Sequence, residues 1–341
     1  MSGVLLIQGV LSLMALLASA WPHATLDGAP PVVIAHRGLP GHLPEHTLEG
    51  YRLAIELGAD YIEPDLVFTA DGHLIARHDH FLSTTTDVAD HPEFADRKRE
   101  IDGRSDWWSE DFTLAEIRTL RARQAFPDRS HEFDGRFAIP TFEEVLALAE
   151  AESARRGRRI GVYPETKHPA YFESRGLDFV PPLLASLTRH GYRGRNDPVF
   201  IQSFEAPILR RLRSQTGIRL VFLIEPETDA AGVPLSYDPP LPFAEIARFA
   251  DAIGPSKALL LHPDGTDSGF VAGAHTAGLA VHIWTLRDDR TPPGFPSPDA
   301  EYRRFLALGI DGFFTDFAAS GVLYRELEGL SGGARDDARP R

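Results

Sequence analysis

Apolar runs of strand length alternate with amphipathic stretches of helix length from Pro31 almost to Arg325, and this alternation restricts the fold more than any other feature. Pro31–Ala35, Tyr61–Phe68, Leu74–Arg77, Ile160–Glu165, Val199–Gln202, Leu220–Leu223 and Val281–Trp284 read as strands. Ala250–Ile253 and Leu259–Leu261 compete for one further place, and Gly312–Asp316 is placed to close the series. Thr47–Leu57, Thr113–Arg121, Thr141–Ala151, Phe204–Arg213, Phe243–Phe249 and Glu301–Leu308 read as helices. Such β-α alternation over this length reads as a (β/α)8 barrel, a TIM barrel, rather than as separate domains.

One connection departs from the alternation. Only FTADGH separates Val67 from Leu74, with Asp71-Gly72 as a hairpin turn. A parallel crossover needs a dozen or more residues, so these two strands are expected to pair antiparallel. The fold-back sets His78 opposite Glu63 and Asp65. The polar stretch 84–139, rich in Asp and Arg, reads as an insertion over one barrel mouth, and the barrel domain as residues 31–325. The tail 331–341 (SGGARDDARPR) lacks the apolar residues that would order it and is expected to be disordered.

Residues 4–20 (VLLIQGVLSLMALLASA) end in Ala18-Ser19-Ala20, the small-x-small pattern of a signal-peptidase site. About 17 residues is marginal for a membrane span, so residues 1–20 are expected to be a cleaved leader and the protein to be exported, to a periplasm or beyond. The n-region carries no Lys or Arg, which leaves an uncleaved anchor as the alternative. Stable membrane insertion of the mature chain is not expected. The 341-residue chain has no cysteine, and a domain of this size is stabilised by its core without disulfides. The net charge of −14 repels nucleic acid and anionic lipid, so an anionic substrate has to be captured by local cations.

The residues that carry chemistry sit at strand ends. Glu63 and Asp65 are two apart on one strand, so both point to one face, shared with Tyr61 and Val67. Glu165 and Lys167 repeat the spacing at the end of the next long strand. Glu63, Asp65 and Glu165, oxygen donors without a Cys, suit a hard cation such as Ca²⁺ or Mg²⁺, and Lys167 suits a phosphate oxygen. His36 and Arg37 follow a strand at its C-terminal end, where barrel enzymes place catalytic groups. His78, brought near by the hairpin, pairs with His36 as acid and base, and Arg37 stabilises phosphoryl charge. Gln202, Phe204 and Trp284 end strands of the same barrel and are candidates for lining the site, the two aromatics as an apolar wall. Asp316 falls near the rim.

In sum, His36-Arg37-Gly38, Pro44-Glu45-x-Thr47, Gly58-Ala59-Asp60-x-Ile62-Glu63-x-Asp65, Thr69-x-Asp71-Gly72, His78-Asp79, Glu165-x-Lys167, Gln202-Ser203-Phe204, Trp284-Thr285 and Thr315-Asp316 resemble the glycerophosphodiester phosphodiesterase family. Tyr163-Pro164-Glu165-x-Lys167, the long insertion and Asp111-Phe112-Thr113-Leu114 look most like its exported, calcium-using periplasmic branch. The resemblance implies a phospholipase C-like barrel. It also implies one divalent ion, Ca²⁺ before Mg²⁺, on Glu63, Asp65 and Glu165. His36 and His78 become the acid–base pair, with Arg37 and Lys167 on the phosphate. Attack by the glycerol 2-hydroxyl on phosphorus expels the head-group alcohol, and water opens the cyclic phosphate to sn-glycerol 3-phosphate. The partner is a small-molecule glycerophosphodiester.

His46 stands where that family usually has Asn. The simpler expectation is that it caps or supports the helix beginning near Thr47; the sharper one is a third imidazole near the site. Two rival functions use the same barrel. A phospholipase D-like enzyme acting on lysophospholipid or sphingomyelin needs an apolar ledge, for which Trp107, Trp108, Phe112 and Phe126 are candidates. An exported, non-catalytic binding or surface protein is the other rival, against which every catalytic position holds a competent residue.

Overall fold

The computed structural model describes residues 21–336, with side chains to residue 330; the apolar leader lies outside the described residues. Thirteen strands are described: β1 (Val32–His36), β2 (Tyr61–Glu63), β3 (Asp65–Phe68), β4 (Leu74–Ala76), β5 (Arg99–Ile101), β6 (Arg104–Asp106), β7 (Gly161–Val162), β8 (Glu165–Thr166), β9 (Phe200–Ser203), β10 (Arg219–Ile224), β11 (Ala252–Pro255), β12 (Ala280–Leu286) and β13 (Gly312–Thr315). β2 and β3 form one strand interrupted at Pro64, and β7 and β8 one strand interrupted at Tyr163-Pro164, because proline cannot donate to the ladder. With each of these pairs counted once, eight parallel strands form a ring among the described residues. It closes where β13 pairs with β1, Val32 opposite Gly312. β4 folds back antiparallel on β3, Leu66 opposite Ala76, as the short turn requires.

Helices follow the strands and cover the ring. Leu48–Glu56 starts at Thr47, whose hydroxyl accepts from the Gly50 N–H. Phe142–Arg156 starts with a capping box between Thr141 and Glu144 and ends on left-handed Gly157. Pro298–Ala307 starts at Ser297, ahead of the expected Glu301, because Ser297 caps and Pro298 occupies the first turn. Of the two competitors for one strand, 250–253 is the one realised, shifted to Ala252–Pro255, while Lys257–Leu259 forms a 3₁₀ turn. The last helix, Ala318–Asp336, runs into the polar tail; residues 337–341 lie outside the described residues.

Two apolar layers result. Ile34, Tyr61, Tyr163, Phe200, Val221, Ala252 and Phe314 fill the barrel interior, with Tyr163 stacked on Phe200 at 4.9 Å. The larger layer lies between strands and helices. Val67 packs in that outer layer rather than with Tyr61: Glu63 and Asp65 keep the inner face across Pro64, but past Leu66 β3 pairs only with β4, and Leu66, Val67 and Phe68 all join the outer layer. The stretch 84–139 has little regular structure: β5 and β6, short 3₁₀ turns and the one-turn helix Leu114–Ile117. Trp107, Trp108 and Phe112 are buried within it, and both indole N–H groups donate to backbone carbonyls, of Phe94 and Arg99. These three aromatics hold the stretch together and offer no ledge, while Phe126, the fourth candidate, is half-buried under the Arg129 guanidinium.

Candidate active site

β1 delivers His36 to the C-terminal mouth of the barrel, and the chain then turns sharply. Arg37 and Gly38 both have left-handed backbones (φ 52° and 93°). At Gly38 a Cβ would stand 3.2 Å from the backbone of Gly50 and Tyr51, so the first helix packs against it directly. The turn aims the Arg37 backbone N–H at Glu63 Oε2, 2.8 Å away. Its guanidinium reaches Glu45 at 3.0 Å and Asp65 at 3.3 Å.

Glu63, Asp65 and Glu165 are buried and offer carboxylate oxygens that all lie within 4.8 Å of one another. Gln202 donates to Glu63 at 3.0 Å, and Lys167 lies 2.8 Å from Glu165. Burial raises the pKa of Glu63 well above its ordinary value, reinforced by Asp65 and Glu165. Burial likewise pushes Glu165 up to about 8, with Asp65 adding to it and Lys167 opposing. Asp65 goes the other way: burial is outweighed by Lys167, by the His46 hydrogen bond and by His78. Among the described residues Asp65 Oδ1 is buried without a hydrogen-bond partner. Three converging carboxylates, two of them resisting ionisation and one with an orphaned oxygen, fit a hard divalent cation.

These groups line one cavity of about 100 Å³, together with His36, Arg37, His78, Lys167, Gln202, Phe204, Trp284 and Arg287. All the site residues expected from the sequence therefore meet in one place. The cavity opens into a groove of about 470 Å³ that shares His78, Lys167, Phe204 and Trp284 and adds Asp79, His168, Glu205 and Glu225. Phe204 meets Trp284 edge-on at 5.8 Å, and the indole donates to Gly254 O at 2.7 Å. His36 Nδ1 lies 2.7 Å from Asp316 Oδ1, and His78 Nδ1 lies 2.9 Å from Asp79 Oδ1. Burial, then Arg37, lowers the His36 pKa to about 4 in spite of Asp316. Asp316 is held far below the carboxylate range: burial is overcome by its bonds to His36, Arg287 and Arg129.

His46 supports the helix through Tyr51 but does not cap it. Thr47, not His46, caps the helix; His46 is fully buried, with Nδ1 2.6 Å from Tyr51 Oη and Nε2 3.0 Å from Asp65 Oδ2. It is a third imidazole, in contact with a carboxylate of the triad. Sequence reading gave no individual role to Glu45, and it missed Arg77, Arg129 and Arg287. Arg77 is buried and donates to the carbonyls of Thr85, Glu45 and His46, pinning the loop that carries the last two. Glu45 carried a signal, its place in Pro44-Glu45-x-Thr47; the arginines carried none.

A mouth of this composition at the C-terminal end of a closed parallel barrel defines a phosphoester-cleaving class of enzyme. The model of the glycerophosphoryl diester phosphodiesterase family matches residues 36–320. A glycerophosphodiester phosphodiesterase of Arabidopsis thaliana is 36% identical over 348 residues, covering 92% of this chain and 91% of the plant protein. The protein of that name from Haemophilus influenzae is 32% identical over 335 residues, covering 88% and 90%. The structure of an Oleispira antarctica phosphodiesterase in complex with the product sn-glycerol-3-phosphate superposes with a TM-score of 0.62 at 19% identity, covering 89% of this chain and 99% of that one. A glycerophosphodiester phosphodiesterase from Agrobacterium tumefaciens gives 0.57 at 21%, covering 86% and 99%. These two show the shared fold. The chain belongs to the glycerophosphoryl diester phosphodiesterase family and is an enzyme of that class.

Proposed function

We propose that the protein hydrolyses glycerophosphodiesters to sn-glycerol 3-phosphate and the head-group alcohol, with His36 and His78 dividing the proton transfers. The observation that carries this reading is the convergence of both imidazoles, the three carboxylates, Arg37 and Lys167 on one cavity. A divalent cation on Glu63, Asp65 and Glu165, calcium before magnesium, would neutralise charge developing on the phosphoryl oxygens.

The two histidines are not equivalent. His36 lines the inner cavity alone, whereas His78 also lines the outer groove. With Nδ1–H donated to Asp316, His36 presents a bare Nε2, and its lowered pKa keeps it unprotonated at neutral pH. His36 takes the proton of the glycerol 2-hydroxyl as that oxygen bonds to phosphorus. The bond from phosphorus to the head-group oxygen breaks, and His78 protonates the departing alcohol in the groove. Water then opens the cyclic phosphate with the roles reversed. The attached hydroxyl is already near its target, which avoids a bimolecular entropy cost. Phe204 and Trp284 wall the boundary between cavity and groove. We further propose export, on the pattern of residues 4–20, and membership of the calcium-using periplasmic branch. Trp107, Trp108 and Phe112 are turned into their own segment, which disfavours the lysophospholipid alternative.

The test is release of glycerol 3-phosphate from glycerophosphocholine by purified protein with Ca²⁺, with Mg²⁺ and with chelator. Calcium-dependent release abolished by chelator is expected. A folded protein that releases none with either metal overturns the reading.

A further inference from the structure

From His36 an ion network, buried at Asp316 and Arg129, joins three distant parts of the chain. Asp316, which follows β13, gives Oδ1 to His36 Nδ1 (2.7 Å) and Oδ2 to both Arg129 Nη2 (2.7 Å) and Arg287 Nε (2.8 Å). Arg129 grips Asp289 as well, with Nε 2.8 Å from Oδ2 and Nη2 3.1 Å from Oδ1. It comes from the polar stretch 84–139, where Phe126 lies under its guanidinium at 4.2 Å. Gln124 secures the same stretch to Pro40 O at 3.0 Å.

We propose that Arg129 is a positioning residue for His36, acting through Asp316, and that the 84–139 stretch thereby completes the catalytic centre. This rests on His36 being the proton acceptor. A carboxylate free to rotate offers either oxygen to an imidazole. With Oδ2 occupied, Oδ1 is fixed on Nδ1, which sets the tautomer and points Nε2 at the cavity. Arg287 does not make Arg129 redundant. Arg287 lines the cavity with a side chain 25% exposed, where the substrate's phosphate competes for it. The Arg129 side chain, 3% exposed, does not line the cavity and holds Asp316 whether or not substrate is bound.

The experiment is steady-state kinetics on glycerophosphocholine for Arg129→Ala, Arg129→Lys, Asp289→Asn, His36→Ala and the Arg129→Ala/His36→Ala double variant, with folding checked by circular dichroism. Arg129→Ala should lower kcat roughly ten- to a hundredfold, the scale of a displaced catalytic group, with KM within about threefold. Arg129→Lys should recover part of that loss. In the His36→Ala background Arg129→Ala should cost nothing further, because its effect runs through that imidazole. Wild-type kcat in Arg129→Ala, or a full additive loss in the double variant, overturns the proposal. If Arg129→Ala does not fold, Asp289→Asn decides: it frees one side of the guanidinium and should lower kcat severalfold, and an unchanged kcat overturns the proposal. Wild-type turnover in His36→Ala overturns the acid–base reading instead.

Discussion

The floor beneath the site offers a prediction whose size follows from one buried group. His282 on β12 is 3% exposed, and its Nδ1 lies 2.7 Å from Tyr163 Oη inside the barrel. Burial lowers its pKa from 6.5 to about 4, against a small opposing pull from Asp311. In the unfolded chain the imidazole titrates near its ordinary value. Between those two pH values the unfolded state therefore binds a proton that the folded state refuses, and stability falls as the pH falls. The full contribution is about 3 kcal/mol, of which about 2 kcal/mol is lost between pH 7 and pH 4.5. His282→Gln keeps a polar partner for Tyr163 and does not titrate. It should cost about 1 kcal/mol at pH 7 for an imperfect hydrogen bond, yet lose about 2 kcal/mol less than wild type by pH 4.5. The assay is urea unfolding of both proteins at half-unit steps from pH 7 to 4.5, in chelator. Asp316 and Glu45, whose pKa values are also lowered on folding, lose stability in the same direction but equally in both proteins. Parallel curves for the two proteins would refute the assignment of a buried neutral imidazole.

Three further outcomes are expected. His36→Ala and His78→Ala should each lower kcat by roughly 10²- to 10⁴-fold with nearly unchanged melting temperature, and wild-type rates in both would sink the acid–base pairing. Glu165→Gln should lose most of the calcium-induced rise in melting temperature, and an undiminished rise contradicts a calcium site there. His46→Ala removes the contact to Asp65 and should raise the calcium concentration for half-maximal activity roughly 10- to 100-fold, and an unchanged calcium dependence confines His46 to packing.

Legibility in the sequence followed the range of the interactions. The hairpin at Asp71-Gly72 was readable because a short turn leaves only antiparallel pairing, and it set His78 near Glu63 and Asp65 without tertiary information. The Glu63-x-Asp65 and Glu165-x-Lys167 spacings were readable for the same reason. Strand periodicity puts Val67 on the face of Tyr61 because it assumes that the strand stays in the barrel wall, whereas past Leu66 β3 pairs only with β4 and Val67 is covered by the outer layer. His46 shows a different limit. Its side chain reaches Asp65 because its backbone is left-handed (φ 55°), a conformation that residue type alone does not announce for histidine. The contact of Arg129 with Asp316 spans 187 residues, and nothing local in an Asp- and Arg-rich stretch distinguishes that arginine from its neighbours.

The net charge of −14 first posed the question of how an acidic protein takes an anionic substrate, and the site sharpens it. Arg37 and Lys167, the cations nearest the triad, already lie against Glu45, Asp65 and Glu165. Arg287 is engaged with Asp316. The cations that line the cavity are therefore already engaged with carboxylates before a phosphodiester arrives. Burial first, then repulsion by the neighbouring carboxylates, raises the pKa values of Glu63 and Glu165. A divalent cation on the triad would relieve that repulsion and add positive charge facing the phosphate. On this accounting cation binding and substrate binding are coupled, and chelation should act on KM as well as on kcat.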